Sequence, residues 1–326
     1  MLPFSRDVLR IDPARVSDEV ATAVREQVLG ALHRRGAVVG ISGGVDSAVV
    51  ASVCVRALGP ERVVGLLMPE RDSSDDATRL GRRVAEGLGI RHLVEDISGA
   101  LDGIGCYERQ ADAIRMVVPE YGKGWRCKLS LPSILDCDRL SITALTVADP
   151  LGAQRTVRLT PAAYLQIVAA TNFKQRVRKM VEYYHADRLA YAVAGTPNRL
   201  EYDQGFFVKQ GDGAADFKPI AHLYKTQVYA LAEHLGVPAE IRGRPPTTDT
   251  FSLEQTQEEF YFALPYSEMD LCLWALEHGV TAAEAAPVLG LSTGQVERVF
   301  RDIQAKRRAA RYLHAAPVLV EKVRGD

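Results

Sequence analysis

The feature that most constrains this chain is a turn, Ser42-Gly43-Gly44-Val45-Asp46-Ser47, set between two apolar runs. Ala37-Val38-Val39-Gly40-Ile41 before it reads as a buried strand. Ala48-Val49-Val50-Ala51-Ser52-Val53 after it reads as a helix of small and apolar residues. Two glycines at a strand-to-helix turn let the backbone approach a phosphate closely, and the helix N-terminus offers free N–H groups and a positive dipole end. Ser42 and Ser47 add hydroxyl donors. Asp46 would be repelled by a bare phosphate, so its presence makes sense through a bridging Mg²⁺. The bland alternative is an ordinary turn with Ser and Asp as caps. No Gly-x4-Gly-Lys-Ser/Thr pattern occurs, so this is not the common P-loop.

The rhythm around the turn extends the argument. An amphipathic helix is expected over 15–35, a strand over 37–41 and a helix over 46–58. A second strand follows over 62–68, ending at Pro69, then a helix from Asp75 to Leu88 and a third strand over 92–97. Strand–helix–strand–helix–strand at this spacing means a parallel sheet wrapped by helices, with ligands at the carboxyl ends of its strands. Residues 105–160 break the rhythm. Within them, runs at 141–147 and 154–159 flank Asp149-Pro150-Leu151-Gly152 and read as a β-hairpin. A long helix is expected over 161–185, a buried strand over 188–194, a helix over 223–235 and helices from Tyr266 onward. The expected fold is therefore α/β: a doubly wound, Rossmann-like parallel sheet with a hairpin-containing insertion and a C-terminal helical extension. Residues 1–265 are expected to form the main unit, with the insertion at about 105–160, and 266–326 the extension.

A chain of 326 residues with a net charge of −1 carries no global attraction for nucleic acid or an anionic membrane. No apolar run approaches the length that spans a bilayer, and the N-terminus has no signal-peptide pattern. The five cysteines form no CxxC; Cys127 and Cys137 could meet across a hairpin, but for all five, thiols in a reducing cytoplasm are the expectation. His185, His222 and His234 lack metal-ligand spacing and read as structural.

Further motifs lie downstream: Asn172-Phe173-Lys174-Gln175-Arg176-Val177-Arg178, Gly195-Thr196-Pro197-Asn198-Arg199-Leu200-Glu201, the run from Gly205 to Asp216, Leu223-Tyr224-Lys225 and Pro245-Pro246-Thr247-Thr248-Asp249. With the Ser42–Ser47 loop, this ordered set resembles the ammonia-dependent NAD synthetase family of the N-type ATP pyrophosphatases, over roughly residues 15–275 apart from the insertion. The resemblance implies the adenine nucleotide α-hydrolase-like fold. It also implies amidation of nicotinic acid adenine dinucleotide (deamido-NAD) with ammonia through an acyl-adenylate, giving NAD, AMP and pyrophosphate. By the same resemblance Ser42, Gly43, Gly44, Asp46, Ser47, Thr196, Lys225 and Thr247 bind ATP. Asp46 and Glu201 hold Mg²⁺, and Arg176, Lys209 and Asp216 bind the dinucleotide. Asp46 and Lys225 are the expected catalytic residues. The residue types suit these roles: paired carboxylates for a hard cation, Lys225 for phosphate charge, Arg176 and Lys209 for pyrophosphate or carboxylate. Arg178 is left between a site residue and a surface charge.

The family also implies a homodimer, with the 161–185 helix in its interface. With no glutaminase motif ahead of Ser42, ammonia is expected free or from a separate glutaminase. The insertion departs from the family and motivates one alternative, an amide ligase acting on a different carboxylate. Residues 255–259 lack the family's acidic element in a substrate-covering loop. At the C-terminus, 281–296 has the cadence of a helix-turn-helix followed by Arg298, Arg301 and Lys306-Arg307-Arg308. Pro287 is expected to interrupt its first helix, and helical packing or dimer support is the preferred reading over DNA binding.

Overall fold

The computed structural model describes residues 3–131, 143–247, 250–262 and 264–321. Its centre is a parallel sheet of β1 (Ala37–Gly40), β2 (Val63–Leu67), β3 (Arg91–Val94) and β7 (Ala192–Ala194), in the order β3-β2-β1-β7. Ala37 pairs with Val63 on one side and with Ala192 on the other. β1 and β2 are buried along nearly their whole length because helices cover both faces of the sheet.

α1 (Pro13–Arg25), α2 (Val45–Leu58), α3 (Asp75–Gly87), α8 (Lys225–His234) and α9 (Ala239–Arg242) share the core on one face. The other face packs on α6 (Pro161–Leu189) through Val38, Val64, Leu66 and Val193 against Val181 and Ala186. Short α4 (Ser98–Gly103) and α5 (Cys106–Arg115) pack on α6. α7 (Arg199–Gln204) follows β7. The chain winds from β1 to β3 on one side of β1 and returns on the other as β7. The loops after β1 and β7 therefore diverge and leave a crevice between them.

The insertion holds a separate antiparallel sheet of β4 (Arg126–Ser130), β5 (Ala144–Ala148) and β6 (Gln154–Arg158), in that order. The expected hairpin is β5–β6; β4 is an addition that sequence periodicity did not separate from the surrounding Gly- and Trp-containing stretch. Cys127 is a buried free thiol on β4, while Cys137 lies outside the described residues. The expected strand over 188–194 is a correction. α6 runs on to Leu189, Ala190 ends it with a left-handed φ of 54°, and only 192–194 pair in the sheet. Nothing between 185 and 189 breaks a helix, so a buried apolar run alone could not tell strand from helix end.

α10 (Tyr266–Glu277), α11 (Ala282–Leu289) and α12 (Thr293–His314) build a further core with Leu9, Leu200 and Tyr224. Pro287 lies inside α11 without interrupting it, in the last turn before Gly290 closes the helix. The buried side of α12, with Val296, Val299 and Ile303, faces this core. Lys306 pairs with Asp302 at 2.6 Å, and Arg307 binds both Asp203 and Glu277. Among the described residues no helix is long and apolar enough to cross a membrane.

Candidate functional site

A cavity of about 500 Å³ opens at the carboxyl ends of β1, β2 and β7. Its floor is the Ser42–Ser47 loop. Gly43 has φ 80°, and a Cβ there would stand 2.5 Å from the carbonyl oxygen of Ala77, so only glycine fits. Gly44 enters α2 without a side-chain cap, and Gly44, Val45, Asp46 and Ser47 at the start of the helix line the cavity. Ser47 Oγ accepts from the Ser42 N–H at 3.2 Å and donates to the Gly44 carbonyl at 3.0 Å, fixing the turn.

Above the loop lies a buried charge cluster. The Lys225 ammonium is wholly buried and pairs with Asp46. Burial opposes its charge, but Asp46 and Glu201 outweigh burial and hold its pKa above the ordinary lysine value. Asp46 also accepts from Asn198 Nδ2 at 3.1 Å. Glu201 and Asn198 form a reciprocal capping box on α7: the Asn198 N–H donates to Glu201 at 3.1 Å and the Glu201 N–H to Asn198 Oδ1 at 3.2 Å. Burial first, then the charge of Asp46, push the Glu201 carboxyl up to about 8, with Lys225 pulling the other way. A second carboxylate charge beside Asp46 is thus costly with one ammonium to offset both. A divalent cation held by these hard oxygen donors would relieve that cost. Among the described residues no group of three His, Cys, Asp or Glu side chains converges to hold a metal. A cation here would therefore draw its other ligands from substrate oxygens and water.

Lys225 starts α8, a poor place for a cation by helix-dipole reasoning. Asp270 of α10 compensates by accepting from the Lys225 and Thr226 N–H groups at 3.2 and 2.7 Å. The Lys225 ammonium also stands 5.1 Å from the Tyr266 ring centre.

Thr196 and Thr247 line the same cavity. Arg176 and Lys209 lie at an adjoining recess, where Arg176 Nε donates to the Lys209 carbonyl at 3.3 Å. The Lys209 ammonium donates to the carbonyls of Tyr312 and Ala315, at 2.7 and 3.1 Å, at the C-terminal end of α12. Asp216 stands apart, exposed, accepting from the Val193 N–H at 2.7 Å and from the Tyr183 hydroxyl at 3.1 Å. Sequence reasoning assigned no role to Asn198, Arg244 or the buried Lys179–Glu182 pair, all of which reach the cluster or the cavity. Asn198 sits inside a quoted motif three residues before Glu201, a spacing that signals a capping box. Arg178 lines the cavity, donating to the Met68 carbonyl at 3.3 Å. His185 pairs with Glu95 at 2.9 Å.

A doubly wound sheet with a glycine turn, a helix N-terminus and a carboxylate–lysine cluster at its switch point defines an α/β nucleotide-phosphate-binding protein of the adenine nucleotide α-hydrolase kind. Comparison with known proteins narrows the class. The chain belongs to the NAD synthase family, whose model matches residues 16–116 and 134–310. It is 64% identical over 319 residues to the NH(3)-dependent NAD(+) synthetase of Mesorhizobium japonicum, covering 98% of this chain and 100% of that protein. It is 58% identical over 322 residues to the protein of the same name from Rhizobium meliloti, covering 99% and 96%. Among solved structures it is similar in fold to an NMN synthetase from Francisella tularensis, with a TM-score of 0.64 and 20% identity over 95% of this chain and 99% of that one. It is likewise similar to an NH3-dependent NAD synthetase from Campylobacter jejuni, with a TM-score of 0.62 and 21% identity over 95% and 100%. The fold thus accommodates proteins named for two different products, so fold alone does not choose the substrate.

Proposed function

We infer that this chain is an ammonia-dependent NAD synthetase, a ligase that forms a C–N bond on the nicotinate carboxylate of deamido-NAD. The observation that carries the reading is the Asp46–Lys225–Glu201 cluster above the glycine turn, in a chain so similar over its full length to proteins named for this activity. The alternative of another carboxylate was motivated by the insertion. With 98% of this chain aligned to the Mesorhizobium protein, the insertion is not peculiar to it, and that motive lapses.

The carboxylate of deamido-NAD attacks the α-phosphate of ATP, pyrophosphate leaves, and ammonia displaces AMP from the acyl-adenylate. The N–H groups entering α2 and the Ser42 and Ser47 hydroxyls hold the leaving phosphates, with Thr196 and Thr247 as further ATP contacts. Lys225, moved from Asp46 towards the phosphates, stabilises charge that develops as the α–β bond breaks. Asp46 and Glu201 would hold Mg²⁺, which supplies charge neutralisation on the phosphate oxygens. Arg176 and Lys209 contact the dinucleotide, Lys209 exchanging its carbonyl partners for phosphate. Asp216 would meet a part of the substrate projecting from the cavity. No side-chain nucleophile is needed; the protein contributes position and electrostatics. A homodimer through α6, a cytoplasmic setting, and ammonia taken free or from a separate glutaminase complete the reading.

The test is to incubate the protein with Mg·ATP, ammonium and deamido-NAD and follow NAD, AMP and pyrophosphate together. Equal formation of all three is expected, abolished in Asp46→Ala and Glu201→Ala. Pyrophosphate without NAD would move the search to another acceptor, and no substrate-dependent ATP cleavage by folded protein would sink the reading.

A further inference from the structure

One wall of the cavity is the segment 250–262, which presents Thr250, Phe251, Gln257, Phe260 and Tyr261. It has little regular structure of its own beyond a Thr247–Thr256 bridge and one wide helical turn at Glu258–Phe262. Its order comes from what it leans on. Among the described residues β4 pairs with a strand, β5, along one side, and its other edge receives the segment. The Leu253 N–H donates to the Cys127 carbonyl at 3.1 Å, and the Cys127 N–H donates to Ser252 Oγ at 3.0 Å. The Leu131 N–H donates to the Glu259 carbonyl at 3.2 Å, and the Gln255 amide donates to the Leu129 carbonyl. Lys128 pairs with Glu259 at 2.6 Å. Phe251 and Phe260 enter the apolar cluster of the insertion, against Leu129, Leu145 and Ile167.

A second tie comes from α6. Lys174 is wholly buried and donates to the Thr250 carbonyl at 2.9 Å while pairing with Glu70 at 2.8 Å and Asp72 at 2.7 Å. Tyr107 of α5 holds the other oxygen of Glu70 at 2.9 Å. Lys174 thus joins the loop after β2 to the segment, and both of these line the cavity.

We propose that the insertion is a template: the free edge of β4 holds residues 250–262 against the cavity before any substrate arrives, with Lys128 and Lys174 as positioning residues for the reaction. What the cavity holds rests on the function proposed above; the clamp itself does not. The physical basis is twofold. An open strand edge offers N–H and C=O groups to an extended partner. A wall ordered in advance spares the substrate the entropy of ordering it.

The experiment is amide hydrogen exchange on the full chain without substrates, read at Leu131 and Leu253, together with steady-state kinetics. Both amides are expected to be protected in the free protein. Lys128→Glu, a change at a partly exposed pair that leaves the core intact, should speed their exchange about three- to ten-fold, the scale of losing and inverting such an ion pair. It should also raise the KM for ATP more than it lowers kcat. The doubly exchanged Lys128→Glu/Glu259→Lys should restore both. Unprotected amides in the free wild type, unchanged exchange in Lys128→Glu, or faster exchange with an unaltered KM would each overturn the proposal. A wild type that makes no NAD yet shows the expected exchange pattern would overturn the function reading and leave the clamp standing.

Discussion

At the scale of single residues, the site depends on atoms that are missing as much as on those present. Gly43 has a left-handed φ and faces the Ala77 carbonyl, so any Cβ meets both a backbone penalty and a clash. The backbone term alone is about 1–2 kcal/mol, and if the turn distorts to avoid it, the N–H groups of the turn move with it. Gly43→Ala is therefore expected to weaken ATP binding by roughly ten-fold or more, measured by calorimetry on folded protein. Wild-type affinity in that variant would mean that the turn is not the phosphate seat. The glycines were legible in the sequence because a turn between a strand and a helix asks for them. The reason Gly43 in particular is required, the carbonyl of a helix 34 positions further on, was not.

At the scale of elements, α8 shows how one helix end can carry a cation. Asp270 caps it, and burial pushes that carboxyl up to about 6 although two backbone N–H groups and Lys225 favour its charge. An acid whose pKa is higher in the fold than in the unfolded chain binds more protons when folded across the window between the two values. Its contribution to stability therefore falls as pH rises from about 4 to about 6 and is flat above. Urea unfolding followed across that range should show this slope in the wild type and lose it in Asp270→Asn. A slope that survives the substitution assigns it to other groups. Nothing in the sequence tied Asp270 to Lys225, which lie 45 residues apart on different helices. The element pattern around them was legible from apolar periodicity. The end of α6 and the start of β7 were not, because both are short apolar stretches whose difference is settled by the left-handed Ala190 and by pairing with β1.

At the scale of the whole molecule, α6 links the parallel sheet, the insertion and the cavity. One side packs under the sheet, and Lys174, Arg178 and the Lys179–Glu182 pair face the cavity or its walls. Its outer side leaves Leu165, Met180 and Tyr184 exposed at 66, 62 and 64%. These three lie within roughly a third of the helix circumference, an apolar stripe suited to a second copy of the chain. Sedimentation is expected to give a dimer, and Met180→Glu/Tyr184→Glu a monomer with an unchanged circular dichroism spectrum. A variant that remains dimeric would place the interface elsewhere. Because Arg176 and Asp216 are exposed rather than sealed in the cavity, the same variant's KM for deamido-NAD is worth following.

The sequence by itself determined the α/β class, the strand–turn–helix at the floor of the cavity, and the family, since these depend on local periodicity, on glycine at fixed offsets and on motif order. Tertiary structure alone decided which charges meet. Asp46, Asn198, Glu201 and Lys225 come from three separate stretches, and only the switch in strand order beside β1 brings them into one buried cluster. It also decided what the insertion leans on, because the second edge of β4 meets a segment more than a hundred residues away, through a few backbone and side-chain bonds that no local pattern encodes.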